Sequence, residues 1–262
     1  MSQYQENATV TRVEQFSATN YRITLNCPEI AGCAEPGQFV MVRTTTSKDP
    51  LLRRPFSIHQ CLGDGSLQLY FKVVGRGTDL LSKVSPGEKI SVFGPLGRGY
   101  RLNSTKPAIF VGGGMGIAPL LFLVKEYCRL KKECGEDIVL LGGRDKSEVA
   151  PLVDDFEVYG PSVVASTDDG SFGQQGFVTE LLQNIALPPS CVLYGCGPEP
   201  MLKALGAFCR DRNIECQVSV ESVMACGMGA CLGCSRPAKD GTYTHVCVHG
   251  PVFDAEKLAW NI

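Results

Sequence analysis

The sequence predicts a β + α/β protein: an N-terminal antiparallel barrel, a Rossmann-like parallel sheet and a C-terminal loop segment rich in thiols. Three observations predict it. Up to about residue 102 the chain carries short β-branched or aromatic runs separated by turn signals. From about residue 103 strand-like runs alternate with helical ones, the rhythm of a parallel sheet with crossovers. Beyond residue 218 three cysteines crowd into "MACGMGACLGCS" (224–235). The domains are accordingly placed at 1–102, 103–218 and 219–262.

In chain order, "ATVTRVEQF", "YRITLNC", "QFVMVRT", "PFSIHQCL", "SLQLYFKVV" and "KISVFG" read as the barrel strands, punctuated by "EPGQ", "GDGS" and "SPGE". "FGPLGRGY" (93–100) reads as the glycine-rich turn that ends the barrel. "AIFVGGG" then reads as a buried strand, and "APLLFLVKEYCRLKKE" has helical apolar spacing. "DIVLLGGR" is a strand, "SEVAPLVDDFEVYG" a helix with Ser147 as its N-cap, and "SVVAST" a strand. "GFVTELLQNIA", "CVLYGCG", "EPMLKALGAFCRDRN" and "CQVSVES" complete the alternation of helix and strand.

Composition is that of an ordinary globular chain, 44% hydrophobic and 20% charged, with a net charge of −2. It offers no basic excess for nucleic acid or an anionic membrane. The uncharged run "PAIFVGGGMGIAPLLFLV" has the length of a membrane span, but its prolines and glycines divide it into strand, loop and helix. The N-terminus has no charged region leading into an apolar core, so a cytoplasmic protein is expected.

The 13 cysteines are odd in number and lack a secretory context, so a disulfide framework is not expected. Cys27, Cys33, Cys61, Cys128, Cys134, Cys191, Cys209 and Cys216 read as isolated small thiols. The cluster differs. Cys226-x4-Cys231-x2-Cys234, followed by Cys247, follows the plant-type ferredoxin order for a 2Fe–2S cluster. Gly227, Gly229, Ala230 and Gly233 let backbone N–H groups approach sulfur closely. Four thiolates also suit structural zinc, although zinc sites usually draw on two well-separated short pairs. Plain thiols are the third alternative.

Other stretches carry cofactor chemistry. In "RRPFSI", Arg54 can pair with a phosphate, Phe56 can cover a ring face and Ser57 can hydrogen-bond a flavin ring atom. The bland alternative is a strand with a charged edge. "GRGTDLL" puts Gly77 and Thr78 at a helix start suited to a pyrophosphate. "FVGGGMGIAP" (110–119) and "YGCGPEPM" (194–201) both run from strand end into helix, at the sheet edge where ligands bind. The acidic residue of the ordinary dinucleotide fingerprint is not in its place, so that fingerprint fits poorly. "STDDGSFG" (166–173) reads either as an acidic turn or as a third nucleotide contact. Cys196 is an ordinary loop thiol or a neighbour of a nicotinamide ring.

Together "RPFS", "GGGMGIAP", "YGCGPEPM" and "ESVMACGMGACLGC…HVCVHGPVF" resemble the ferredoxin–NADP reductase superfamily. More narrowly, they resemble the electron-transfer subunits of class 1B NAD-dependent dihydroorotate dehydrogenases. The resemblance implies FAD on Arg54, Pro55, Phe56, Ser57, Phe71, Lys72, Val73, Gly77 and Thr78. It implies a 2Fe–2S cluster on Cys226, Cys231, Cys234 and Cys247. It implies NAD as electron acceptor near Gly114, Gly116 and Pro119, and near Gly195, Cys196, Gly197 and Pro198. Phe56 stands where many members of the superfamily have tyrosine, keeping a ring face without the hydroxyl. The implied role is a relay in pyrimidine biosynthesis, from the FMN of a catalytic subunit that oxidises dihydroorotate, through the cluster and FAD, to NAD+. The implied assembly is a heterotetramer of two relay and two catalytic subunits. No arginine pair for a 2′-phosphate stands out, which favours NAD over NADP. Two rival readings remain. One is an electron-transfer subunit of another complex, such as a sulfide dehydrogenase or a ferredoxin:NAD(P) reductase. The other is a zinc-holding sensor without turnover.

Overall fold

A computed structural model of the chain describes residues 2–45 and 47–260. Its first part comprises β1 (Tyr4–Gln15), β2 (Asn20–Asn26), α1 (Pro28–Cys33), β3 (Phe39–Arg43), β4 (Arg54–Ser57), β5 (Gln60–Cys61), β6 (Ser66–Lys72), α2 (Arg76–Ser82) and β7 (Lys89–Leu96). The strands form one antiparallel sheet in the order β4-β3-β7-β1-β2-β6-β5. Its two edge strands are joined by only Ile58 and His59. The Ile58 N–H donates to the Gln38 carbonyl beside β3, and the His59 N–H donates to the Gln68 carbonyl on β6. The chain itself thus draws the edges together and curls the sheet into a barrel, which removes exposed edges. Ile23, Leu25, Val40, Val42, Leu67 and Leu69 fill it.

The second part comprises β8 (Ala108–Gly113), α3 (Leu120–Lys131), β9 (Ile138–Gly143), α4 (Lys146–Glu157), β10 (Ser162–Thr167), β11 (Gln174–Gln175), α5 (Val178–Asn184), β12 (Val192–Cys196), α6 (Glu199–Asp211) and β13 (Glu215–Ser219). The tail adds β14 (Ser235–Pro237), β15 (Tyr243–His245), α7 (Val246–His249) and β16 (Val252–Asp254). The second sheet runs β11-β10-β9-β8-β12-β13-β16, and only β16 is antiparallel. Every residue of β8 and β12 is buried, because helices cover both faces of a parallel sheet. The order reverses between β8 and β12, and that switch point opens a crevice at the strands' carboxyl ends.

Several expectations need correction. The stretch "FGPLGRGY" is not a turn throughout, since β7 continues to Leu96 by pairing with Phe39. The N-cap of α4 is Asp145, not Ser147. The Asp145 carboxylate accepts the Ser147 N–H at 2.8 Å, so the cap lies two residues earlier. Cys128 and Cys134 are not isolated thiols. They form a disulfide with a Cα–Cα distance of 5.7 Å, closing the turn after α3. Cys33 is exposed, where a buried or half-buried thiol is expected, whereas Cys61 is half-buried as expected. Helix α1 lies in a stretch to which the sequence assigns no element, because a single buried apolar residue, Ile30, shows no helical period.

The two parts pack closely. Phe122 of α3 joins the barrel core. Arg22 bridges Glu14 and Asp155, the latter at 2.7 Å. Lys72 meets Glu148 at 2.5 Å, and the Gln60 amide donates to Tyr159 Oη at 3.0 Å. His59 is fully buried between the parts, with Nδ1 2.6 Å from the Ala118 carbonyl. Among the described residues no helix is long and apolar enough to cross a membrane.

Candidate functional site

Three adjoining regions collect the residues singled out in the sequence. The first lies where β4 faces β6 across the barrel seam. Pro55 and Arg54 pair in register with Met41 and Val42 of β3, and Ser57 with Phe39. Phe56 turns inward, 8% exposed, its ring edge-on to Phe71 at 5.6 Å. Its ring is therefore largely covered by the barrel core. Arg54 has no carboxylate partner among the described residues, and its Nη1 donates to the Leu52 carbonyl at 2.7 Å. Its guanidinium lies beside Gly77, where an added Cβ would sit 3.1 Å from Arg54 Nε. The Thr78 hydroxyl accepts from the Val74 and Gly75 N–H groups, closing the first turn of α2. A guanidinium beside a glycine-lined turn is a phosphate cradle. Val74, 80% exposed, offers apolar surface at the seam. The donor set and open apolar surface fit a flavin diphosphate.

The second region is a cavity of about 750 Å³ at the switch point. Gly114, Gly116, Gly197 and Pro198 line it from the ends of β8 and β12. Gly116 is required there. An added Cβ would collide with the Cys196 carbonyl, so only glycine lets the two loops touch. Lys72 and Val74 line the same cavity from the barrel, so it adjoins the flavin cradle. Arg144 and Asp168 line it from the ends of β9 and β10, bringing one residue of the "STDDGSFG" loop to the wall. Pro119 is the buried residue preceding α3, outside the lining. Cys196 is 3% exposed, and burial pushes its thiol up to about 12, so it is a neutral group beneath the loop. Volume, glycine edges and position suit a dinucleotide.

Sequence reasoning missed Glu221. It lines the cavity just beyond β13, and desolvation raises its carboxyl pKa. An acidic residue two positions past a buried strand of a parallel sheet, at the carboxyl edge, was the available signal.

The third region is the thiol loop. Cys226 Sγ accepts from the Met228 and Cys231 N–H groups at 3.5 and 3.4 Å. Cys231 Sγ accepts from the Gly233 N–H at 3.5 Å. Cys234 and Cys247 are buried with sulfurs 3.2 Å apart, and Cys234 Sγ accepts the Cys247 N–H. Desolvation raises the Cys226 thiol, but together the N–H donors outweigh it and bring it down to about 6. Burial, then its neighbour Cys234, pushes Cys247 up to about 12. Gly227 adopts φ of +75°, and an added Cβ would meet Met41 Cγ at 2.6 Å and Leu96. The loop thus lies directly on β3 and β7. Met41 pairs with Pro55, so only one strand separates the thiol loop from the flavin strand. Four thiols with backbone donors aimed at sulfur fit an iron–sulfur cluster.

Two family models match parts of the chain. Residues 221–259 match the family model of the iron-sulfur cluster binding domain of dihydroorotate dehydrogenase B. Residues 110–206 match the oxidoreductase NAD-binding domain. The chain is 39% identical to the dihydroorotate dehydrogenase B (NAD(+)) electron transfer subunit of Desulforamulus reducens, covering 97% of this chain and 98% of that one. It is 38% identical to the subunit of the same description from Fusobacterium nucleatum, with the same coverage. Among solved structures it is similar to a chain of an NADH-dependent reduced ferredoxin-NADP oxidoreductase studied for flavin-based electron bifurcation. That match has a TM-score of 0.85 and 27% identity, over 97% of this chain and 90% of that one. The fold also matches a ferredoxin NADP+ reductase from Neisseria gonorrhoeae with bound FAD and NADP, at a TM-score of 0.66 and 17% identity, over 80% of this chain and 91% of that one.

Proposed function

The chain belongs to the family of dihydroorotate dehydrogenase B electron transfer subunits, and from that premise we propose that it carries electrons from a flavin-containing catalytic subunit to NAD+. Cys226, Cys231 and Cys234 on a loop seated against the flavin strand, with Cys247 of α7 brought against Cys234, carry this reading. When bound, the 2Fe–2S cluster supplies one-electron exchange, and FAD supplies the conversion between single electrons and a hydride.

The protein's own contribution is binding and orientation. Arg54, with the turn at Gly77 and Thr78, neutralises the FAD pyrophosphate. Ser57 offers its hydroxyl to the flavin ring, and Pro55, Lys72 and Val73 form the walls, with Phe56 and Phe71 packed in the barrel core behind them. Gly114, Gly116, Gly197 and Pro198 admit the nucleotide, with Pro119 and Cys196 supporting the loops behind them. Glu221 presents a carboxyl group at the cavity wall, its pKa raised by desolvation. The four cysteines ligate the cluster, and the N–H groups of Met228, Cys231 and Gly233 stabilise charge on sulfur.

The surface around the thiol loop is apolar. Val223 is 87% exposed, and Met228, Leu232, Tyr243 and Val248 are also exposed. We assign this face to the catalytic subunit, since exposed apolar patches mark protein contacts. An FMN-bearing partner and a two-plus-two assembly follow from the same family reading. Co-expression with a candidate catalytic subunit tests it. The reading expects a stable complex that reduces NAD+ with dihydroorotate. Failure of an FMN-bearing partner to associate, or association without NAD+ reduction, rejects it.

A further inference from the structure

A second cavity, of about 590 Å³, lies on the barrel away from the seam. Arg43, Thr44, Arg53, Lys83, Lys89 and Ser91 are among its lining residues. It is cationic. Arg43, Arg53 and Lys89 form no ion pair among the described residues, and Lys83 pairs with Asp79, outside the lining. Glu88 is the lone carboxylate in the wall. Arg53 donates only to uncharged oxygens, those of Met41, Ser91 and the Ser91 hydroxyl, at 2.9–3.2 Å. Desolvation, together with the nearby charge of Arg43, lowers its pKa. A partly buried guanidinium with a like charge beside it and no counter-charge is an unfavourable arrangement that an anion relieves.

An independent observation points the same way. Thr44 lines this cavity and is 7% exposed, yet its hydroxyl has no hydrogen-bond partner among the described residues. Buried hydroxyls normally have partners, and an orphan costs about 1–3 kcal/mol.

The cavity is separate from the flavin cradle. Arg53 and Arg54 are consecutive and diverge, as neighbours on extended chain do. Arg53 reaches across β3 and β7, whereas Arg54 lies beside Gly77. The volume is that of a small-molecule site, and forked guanidiniums with hydroxyls suit phosphate oxygens.

We propose that this pocket binds a phosphate-bearing small molecule of about mononucleotide size, distinct from the redox cofactors. The test is calorimetric titration of inorganic pyrophosphate into protein loaded with flavin and iron, with NAD+ saturating the other cavity. Saturable binding is expected, weakened roughly tenfold or more in Arg43→Gln/Lys89→Gln and in Thr44→Val. Thr44→Val removes the orphan hydroxyl at nearly constant volume. Its melting temperature without pyrophosphate is therefore expected to hold or rise, while the rise caused by pyrophosphate disappears. Absence of saturable binding overturns the proposal, as does equal affinity in the variants. Binding confined to flavin-free protein and abolished by FAD also overturns it, because the pocket would then belong to the flavin.

Discussion

The nucleotide cavity and the thiol loop both adjoin the barrel and are built in opposite ways. The cavity is a by-product of regular structure. Its walls are the ends of β8, β9, β10 and β12, strands tied into one ladder whose central pair, β8 and β12, is buried on both faces. The thiol loop has little regular structure between β13 and β14, and the Cys226 and Cys231 sulfurs are held by only one or two N–H contacts near 3.5 Å. Apolar burial and backbone pairing preform the first site. Ligand bonds complete the second, because metal binding supplies folding free energy where the polypeptide supplies little. The contrast suits the division of labour: a diffusing nucleotide needs a standing pocket, whereas a resident cluster can organise its own.

The sharpest way to break the contrast is to remove a ligand. Cys234→Ser is expected to abolish the cluster, measured as iron content and long-wavelength absorbance, while bound FAD and NADH-driven reduction of an artificial acceptor persist. Loss of FAD together with iron would show that the two regions are not independent.

Acid should act on the preformed side. Burial, opposed by the Ala118 carbonyl, holds His59 at about 4, against 6.5 for an exposed histidine. The unfolded chain therefore binds the additional proton between these values, and stability rises with pH across that window. The contribution is complete above pH 6.5 and is lost as pH falls toward 4, by about 3 kcal/mol. Denaturant melts from pH 4 to 7 check this, and His59→Gln is expected to flatten the dependence.

Gly116→Ala places a methyl group against the Cys196 carbonyl. Overpacking of this kind costs about 1–3 kcal/mol, with NADH affinity down at least about tenfold and iron content unchanged. Asp155→Asn removes one partner of Arg22 between barrel and α4, leaving Glu14. A loss of about 0.5–1 kcal/mol, shrinking at high salt and without change in cofactor content, is expected from denaturant melts.

The same contrast explains what could be read without coordinates. "AIFVGGG" and "CVLYGCG" announce buried strands because local composition and burial coincide there. The cysteine order is legible because its ligands are close in sequence. What escaped depends on local turn geometry or on distant contacts. Asp145 displaces Ser147 as the cap through a turn that propensity alone does not rank. Cys128 and Cys134 meet only because the chain reverses after α3. Glu221 gains its place from the switch point, and His59 and Thr44 are buried by elements far along the chain. Phe56 was read as a ring cover, but strand alternation turns it into the barrel core beside Phe71.

The central claim is that one chain holds a flavin and a cysteine-bound iron–sulfur cluster one strand apart. The most direct test is the visible absorption spectrum of anaerobically purified protein, with iron, zinc and flavin quantified on the same sample. The account predicts flavin bands with broad red absorbance, about two irons and about one FAD per chain, and no zinc. A colourless protein that reconstitution with both cofactors leaves colourless, or a flavoprotein whose four cysteines hold zinc, would contradict it.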